Sequence, residues 1–240
     1  MLIVSLTLNF VSAAGFAAWV MRKGGSRHLL ERFDLRDAEP KLLPFQIDWR
    51  ARLRKLPNTE AEIVFAGDSL IADGPWSELY SPIKNRGIGG ETTAGLLDRL
   101  DEVTESHPRK IFFLVGTNCL AADIPVAQIV RNYRKIVERV RRESPQTRVF
   151  IISVLPVNPR FIKGPVQVNA TIRELNRQLQ DLAGQFENVA FLDVFNALTD
   201  ASGDLRKDLT TDGLHLNLDG YLVLGHLLEG HVVDRIRQER

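Results

Sequence analysis

Ile63-Val64-Phe65-Ala66-Gly67-Asp68-Ser69 is the stretch on which the reading of this chain turns. Four apolar residues, rich in β-formers, make a short run of the kind a buried strand presents. Gly67 and Asp68 break it, and Ser69 stands at the break. A serine at the carboxyl end of a strand in an open α/β sheet faces the crevice where such folds bind ligands. Leu70-Ile71-Ala72 can open a helical turn, which would put Ser69 at a helix N-terminus whose free N–H groups favour an anion. Taken alone, Gly-Asp-Ser is also what an ordinary polar turn uses, so the remaining chain has to decide.

Downstream, apolar runs alternate with helical patterns. Ile83-Lys84-Asn85-Arg86 reads as a brief strand running into Gly87-Ile88-Gly89-Gly90-Glu91-Thr92-Thr93. A helix from near Thr92 carries Leu96, Leu97, Leu100 and Val103 on one face. Residues 110–115 form the next strand, ending at Gly116-Thr117-Asn118. Pro125 sits where a helix starts, and Ile129, Tyr133, Ile136, Val137 and Val140 recur at helical spacing. Strands are expected at 148–155 and 189–194, helices at 166–186 and 218–236. Strands alternating with helices of this length mean βαβ units. The expected fold class is α/β: a three-layer αβα domain around a mostly parallel five-stranded sheet, with a hydrophobic helix at the N-terminus.

The chain of 240 residues is 44% hydrophobic and 25% charged, with net charge +1. That suits one globular domain with a full core. Near-neutral charge and the lack of an arginine-rich or aromatic-interleaved tract argue against nucleic acid as a partner. Cys119 is the single cysteine. It cannot form an internal disulfide, and no Cys/His spacing suggests a metal site.

Residues 2–21 contain no charged side chain, and a helix of that length spans about 30 Å, a bilayer core. Arg22 and Lys23 end the run. A membrane anchor is read first, a cleaved signal peptide second and a buried core helix third. The basic residues after the span favour the cytoplasmic side; export is the alternative. The domain reading is therefore 1–22 as a hydrophobic segment, 23–59 as a connector, and 60–240 as the main domain. In the connector, 48–56 is expected to be a helix with Trp49, Leu53 and Leu56 on its packed face, its arginines in solvent, and Pro57 ending it, with contact at a membrane surface as the alternative.

In a parallel sheet the carboxyl ends of the strands share one edge. Ser69, Gly90 and Asn118 are therefore brought together there, and Asp212-Gly213-Leu214-His215 supplies a carboxylate and an imidazole three residues apart. Each part has a role in acyl transfer. A serine hydroxyl needs a base to attack an ester, and an imidazole suits because histidine titrates near neutrality. A carboxylate can accept the other ring N–H and orient the ring. The Ser69 and Gly90 backbone N–H groups and the Asn118 amide would make an oxyanion hole. The glycine block lacks the third glycine of a dinucleotide fingerprint, and no P-loop Lys-Ser/Thr follows. Ser69 also lacks the closing glycine of an α/β-hydrolase elbow. His28, His107, His226 and His231 have no such carboxylate partner in a loop.

These four blocks resemble the SGNH, or GDSL-type, esterases and lipases over roughly 60–232, and within them the platelet-activating-factor acetylhydrolase catalytic-subunit type, through Asn-Arg-Gly-Ile-Gly-Gly-Glu-Thr-Thr, Gly-Thr-Asn and Leu-His-Leu. The resemblance implies a flavodoxin-like SGNH fold. It implies a cofactor-free, metal-free ester hydrolase with Ser69 as nucleophile, His215 as base, Asp212 as its partner, and Ser69, Gly90 and Asn118 as oxyanion donors. Cys119 departs from the Asn, Asp or Glu of many relatives and reads as a small buried residue. The expected substrate is a small or medium acyl ester, including acetyl and lipid esters. A carbohydrate O-acetylesterase, an acyltransferase with the same triad, and a membrane-tethered binding protein with a dead site are the alternatives. Oligomeric state is not readable.

Overall fold

The computed structural model describes residues 42–57, 62–161 and 168–233. The hydrophobic segment at 2–21, with the anchor and signal readings placed on it, lies outside them. Among the described residues no helix is long and apolar enough to cross a membrane.

In chain order the elements are α1 (Pro44–Leu53), β1 (Ile63–Gly67), α2 (Ser69–Ala72), α3 (Trp76–Leu79), β2 (Lys84–Gly87), α4 (Thr93–Asp98), α5 (Asp101–Thr104), β3 (Lys110–Leu114), α6 (Thr117–Ala121), α7 (Val126–Glu143), β4 (Arg148–Ile152), α8 (Val168–Ala183), β5 (Val189–Leu192) and α9 (Leu218–Val232), with 3₁₀ turns at Asn196–Leu198 and Lys207–Leu209. All five strands are parallel, in the order β2-β1-β3-β4-β5. This is the flavodoxin-like order. Connections leave β1 and β3 toward opposite edges of the sheet, so a crevice opens between their carboxyl ends. Ser69 follows β1 and Asn118 follows β3, which puts both at that crevice.

Alternation along the strands fills two cores. On one face Val64, Ala66, Ile111, Phe113, Val149 and Ile151 meet the apolar stripes of α4, α7 and α8. On the other, Ile63, Phe65, Phe112, Phe150 and Ile152 meet α2, α3 and α9. Phe65, Phe112 and Phe150 are in register across β1, β3 and β4 and stack with centroids 4.7 and 4.5 Å apart. Such offset aromatic pairs add about 0.5–1.5 kcal/mol each beyond the area they bury. Gly67 ends β1 where only glycine fits: a Cβ there would lie 1.9 Å from Leu114 O.

Helix α1 corrects the sequence reading. It starts at Pro44, in the N1 position that suits proline, and not at Asp48. Leu53 is buried, but Trp49 and Leu56 are exposed by 43% and 49%, while Arg50 is 7% exposed. Polar groups, not an apolar stripe, choose the buried face. Arg50 pairs with Asp98 at 2.8 Å, Trp49 Nε1 donates to Gly87 O at 3.2 Å, and Gln46 Nε2 donates to Gly89 O at 3.0 Å. The strands at 148–155 and 189–194 are shorter than expected, ending at Ile152 and Leu192.

Candidate active site

Ser69 is the first residue of α2, and its neighbour Asp68 caps that turn. Asp68 Oδ1 accepts from Leu70 N at 3.0 Å. The cap fixes how the chain leaves β1 and so where the Ser69 hydroxyl points. Asp68 is 1% exposed, and burial pushes its carboxyl up to about 7 against the opposing pull of the Leu70 N–H.

Across 146 positions of sequence, Ser69 Oγ lies 3.1 Å from His215 Nε2. The other ring nitrogen, Nδ1, is 2.6 Å from Asp212 Oδ2. The second oxygen, Oδ1, accepts the backbone N–H groups of Leu214 and His215, each at 2.8 Å. Thr210 closes this loop: its hydroxyl donates to His215 O at 2.7 Å and accepts from Gly213 N at 2.9 Å. Partial burial pushes the Asp212 carboxyl up, but the His215 ring and the two backbone donors outweigh it and hold it down at about 2. Asp212 thus stays ionised through any ordinary assay range.

The glycine block is tied down from several sides. Asn85 Nδ2 donates to Ile71 O at 2.9 Å, and Ile88 N donates to Gly67 O at 2.9 Å. Gly90 has φ +71°, a left-handed conformation that glycine takes without strain. Asn118 Nδ2 donates to Glu91 O at 3.1 Å, which sets the amide beside the glycine block and leaves its second N–H for another acceptor. Glu91 is itself buried against Arg99, with Arg99 Nε to Oε1 at 2.6 Å and Nη2 to Oε2 at 2.5 Å. Arg99 Nη2 also donates to Arg86 O at 2.7 Å. Cys119 is fully buried, and its sulfur accepts from Thr93 N at 3.3 Å. Burial pushes the thiol up, which keeps it a packed thiol and not a nucleophile.

The structure therefore brings Ser69, His215 and Asp212 into one hydrogen-bonded line, and joins Asn118 to the residue after Gly90. An imidazole nitrogen at this distance can take a hydroxyl proton, and a carboxylate on the far nitrogen can hold the ring. Among the described residues no group of three or more His, Cys, Asp or Glu side chains is arranged to hold a metal ion. Sequence reasoning missed the Glu91–Arg99 pair, Thr210 and Gln46. For Gln46 one local signal existed: it lies three positions after Leu43, where a glutamine side chain reaches back to the N-cap N–H.

Comparison with known proteins gives the same direction. Residues 65–223 match the GDSL-like lipase/acylhydrolase family. The chain is 31% identical over 194 residues to the platelet-activating factor acetylhydrolase IB subunit alpha1 of Homo sapiens, covering 75% of this chain and 79% of that one. A solved Streptococcus pneumonia structure, named for platelet activating factor, superposes with a TM-score of 0.72 at 36% identity over 87% of this chain and 98% of that one. An acetylxylan esterase from Geobacillus stearothermophilus shares the fold at 16% identity, with a TM-score of 0.58 over 72% of this chain and 94% of that one.

Proposed function

Because this chain belongs to the GDSL-like lipase/acylhydrolase family and is an ester hydrolase, we propose that it cleaves small or medium acyl esters through an acyl-enzyme on Ser69. The observation that carries the reading is the 3.1 Å approach of Ser69 Oγ to His215 Nε2, with Asp212 on the opposite ring nitrogen.

In the first step Ser69 Oγ bonds to the ester carbonyl carbon while Nε2 takes the hydroxyl proton. The carbonyl oxygen becomes an oxyanion, held by the N–H groups of Ser69 and Gly90 and by the Asn118 amide. Asp212, held ionised at this site, stabilises the imidazolium. The tetrahedral intermediate collapses: the C–O bond to the alcohol breaks, and Nε2 returns the proton to the leaving oxygen. Water then attacks the acyl-Ser69 carbonyl, giving its proton to Nε2, and a second collapse releases the carboxylic acid and the serine hydroxyl. No cofactor enters these steps.

An acetyl or other short acyl group is favoured by the relationship to a protein named as an acetylhydrolase, and lipid esters belong to the same reading. Attachment to a membrane through residues 2–21, which hold no charged side chain, is the further part of the proposal. Fractionation of the full chain tests it, and uncleaved protein wholly in the supernatant would remove it.

The test of function is a p-nitrophenyl ester series of rising acyl length on the full chain beside Ser69→Ala. Hydrolysis should be greatest for short or medium chains and fall to background in the variant. Full activity in Ser69→Ala would end the reading.

A further inference from the structure

We propose that Gln46, on α1 and outside the segment matched to the family, is a positioning residue that sets the orientation of the Gly90 oxyanion donor. The inference rests on the reading that Ser69 is the nucleophile and that the Gly90 N–H receives the oxyanion.

Residues 88–91 form a tight turn, with Glu91 N donating to Ile88 O at 3.2 Å. Of its two central residues only Gly90, the second, has a positive φ. That is the signature of a type II turn. Type I and type II turns differ mainly in the central peptide, which is rotated by roughly half a turn between them. Here the central peptide joins the Gly89 carbonyl to the Gly90 N–H. In a trans peptide the C=O and N–H point in opposite directions. Whatever fixes the Gly89 oxygen therefore aims the Gly90 N–H. With glycine at both central positions, sterics leave either orientation open, so a contact from outside the turn has to choose.

Gln46 makes that contact. Its Nε2 donates to Gly89 O at 3.0 Å, and its Oε1 accepts from Leu43 N at 2.9 Å. Both ends of the amide are engaged, so it cannot turn over without losing both bonds. The side chain is buried, the residue being 4% exposed. The helix carrying it is anchored independently by Trp49 to Gly87 O and by Arg50 to Asp98. The flanks of the turn are held from the catalytic side, by Gly67 O on Ile88 N and by the Asn118 amide on Glu91 O. Gln46 holds the central peptide itself. Without it, that peptide can rotate toward the type I arrangement, and the Gly90 N–H swings off the oxyanion.

The test uses the full chain with Gln46→Met, which keeps length and bulk but removes the donor, and Gln46→Glu, which keeps the acceptor for Leu43 N and sets a carboxylate against Gly89 O. Trp49→Phe is the comparison: it removes the other bond from α1 to the glycine block without touching the central peptide. In both Gln46 variants kcat for p-nitrophenyl acetate should fall about 10- to 100-fold, less than the 10²–10³ that outright loss of a donor costs. KM should stay within about threefold, because the interaction is made in the transition state. The rate at which a fluorophosphonate modifies Ser69 should fall by the same factor, since its phosphoryl oxygen uses the same donors. Trp49→Phe should keep kcat within about threefold, and thermal midpoints should identify any variant that has lost its fold. Wild-type kcat in folded Gln46 variants would overturn the inference while leaving the nucleophile reading intact. An equal loss in Trp49→Phe would also overturn it, by showing that any loosening of α1 suffices. Activity surviving in Ser69→Ala, with no fluorophosphonate on Ser69, would remove the underlying reading and this inference with it.

Discussion

Replacing Asp212 by asparagine keeps the shape of the side chain and reverses what it offers the imidazole. The Leu214 and His215 N–H groups both reach Oδ1 at 2.8 Å. Asparagine has one oxygen, and those two donors hold it in that place. The new NH₂ then faces Nδ1 across the 2.6 Å now spanned by Asp212 Oδ2. Two donors cannot share that gap, so the ring takes the tautomer protonated on Nε2, the nitrogen 3.1 Å from Ser69 Oγ. That nitrogen no longer has a lone pair for the hydroxyl proton. In a buried triad the same exchange costs about 10⁴ in kcat. Here the Asp212 and His215 side chains are 51% and 36% exposed. Water can reach the ring, and the tautomer is enforced less strictly. The expected loss is about 10³ in kcat, or about 4 kcal/mol of barrier, with KM changed less than about threefold. Steady-state hydrolysis of p-nitrophenyl acetate in mildly alkaline buffer measures it, with a thermal midpoint to show that the 210–215 loop is intact. A folded variant within about tenfold of wild-type kcat would refute the assignment of Asp212 as the group that orients His215.

Two further predictions concern buried charge. Arg99→Met preserves bulk but leaves the Glu91 carboxylate, 2% exposed, without its cation; breaking such a pair costs about 3–5 kcal/mol, to be read as a shift in the urea midpoint, and a cost under about 1 kcal/mol would contradict the pairing. Asp68 gives a pH dependence with a defined sign. Its folded carboxyl is pushed up to about 7 from an unfolded value of about 3.9, so its contribution is fully present below about pH 4 and is lost as pH rises toward about 7, at up to about 1.4 kcal/mol per pH unit. Asp68→Asn should therefore gain on wild type in urea stability as pH rises through that window; a constant difference would contradict the buried, protonated carboxyl.

The central strands were legible because they are buried on both faces and so appear as largely apolar runs, as in Ile63–Gly67 and Lys110–Leu114. The site was legible for the same reason: a parallel sheet sends every strand end to one edge, so Ser69 and Asn118 could be placed without coordinates. The meeting of Ser69 with His215 needed only that the 212–215 loop reach that edge. What the sequence concealed is held by polar groups distant in the chain. Helix α1 turns Arg50 inward because Asp98 and Glu102 wait on α4 and α5, and no local hydrophobic pattern reports this. Trp49 and Leu56 read as packed-face residues and yet are exposed, because the contacts of Arg50 with Asp98 and of Gln46 with the Gly89 carbonyl choose the buried face. The apolar spacing that located α7 is buried as read, whereas of Trp49, Leu53 and Leu56 only Leu53 is buried. Asp68, which looked like a turn residue, is one, but as a helix cap its carboxyl group is taken out of water.

The most direct test of the central claim is to find where the acyl group goes. The full chain is quenched with acid during turnover of a p-nitrophenyl ester, digested, and mapped by peptide mass spectrometry. The account predicts one acyl adduct, on the Ser69 hydroxyl, absent from the Ser69→Ala protein. An acyl group on another side chain, with hydrolysis continuing in Ser69→Ala, would contradict it.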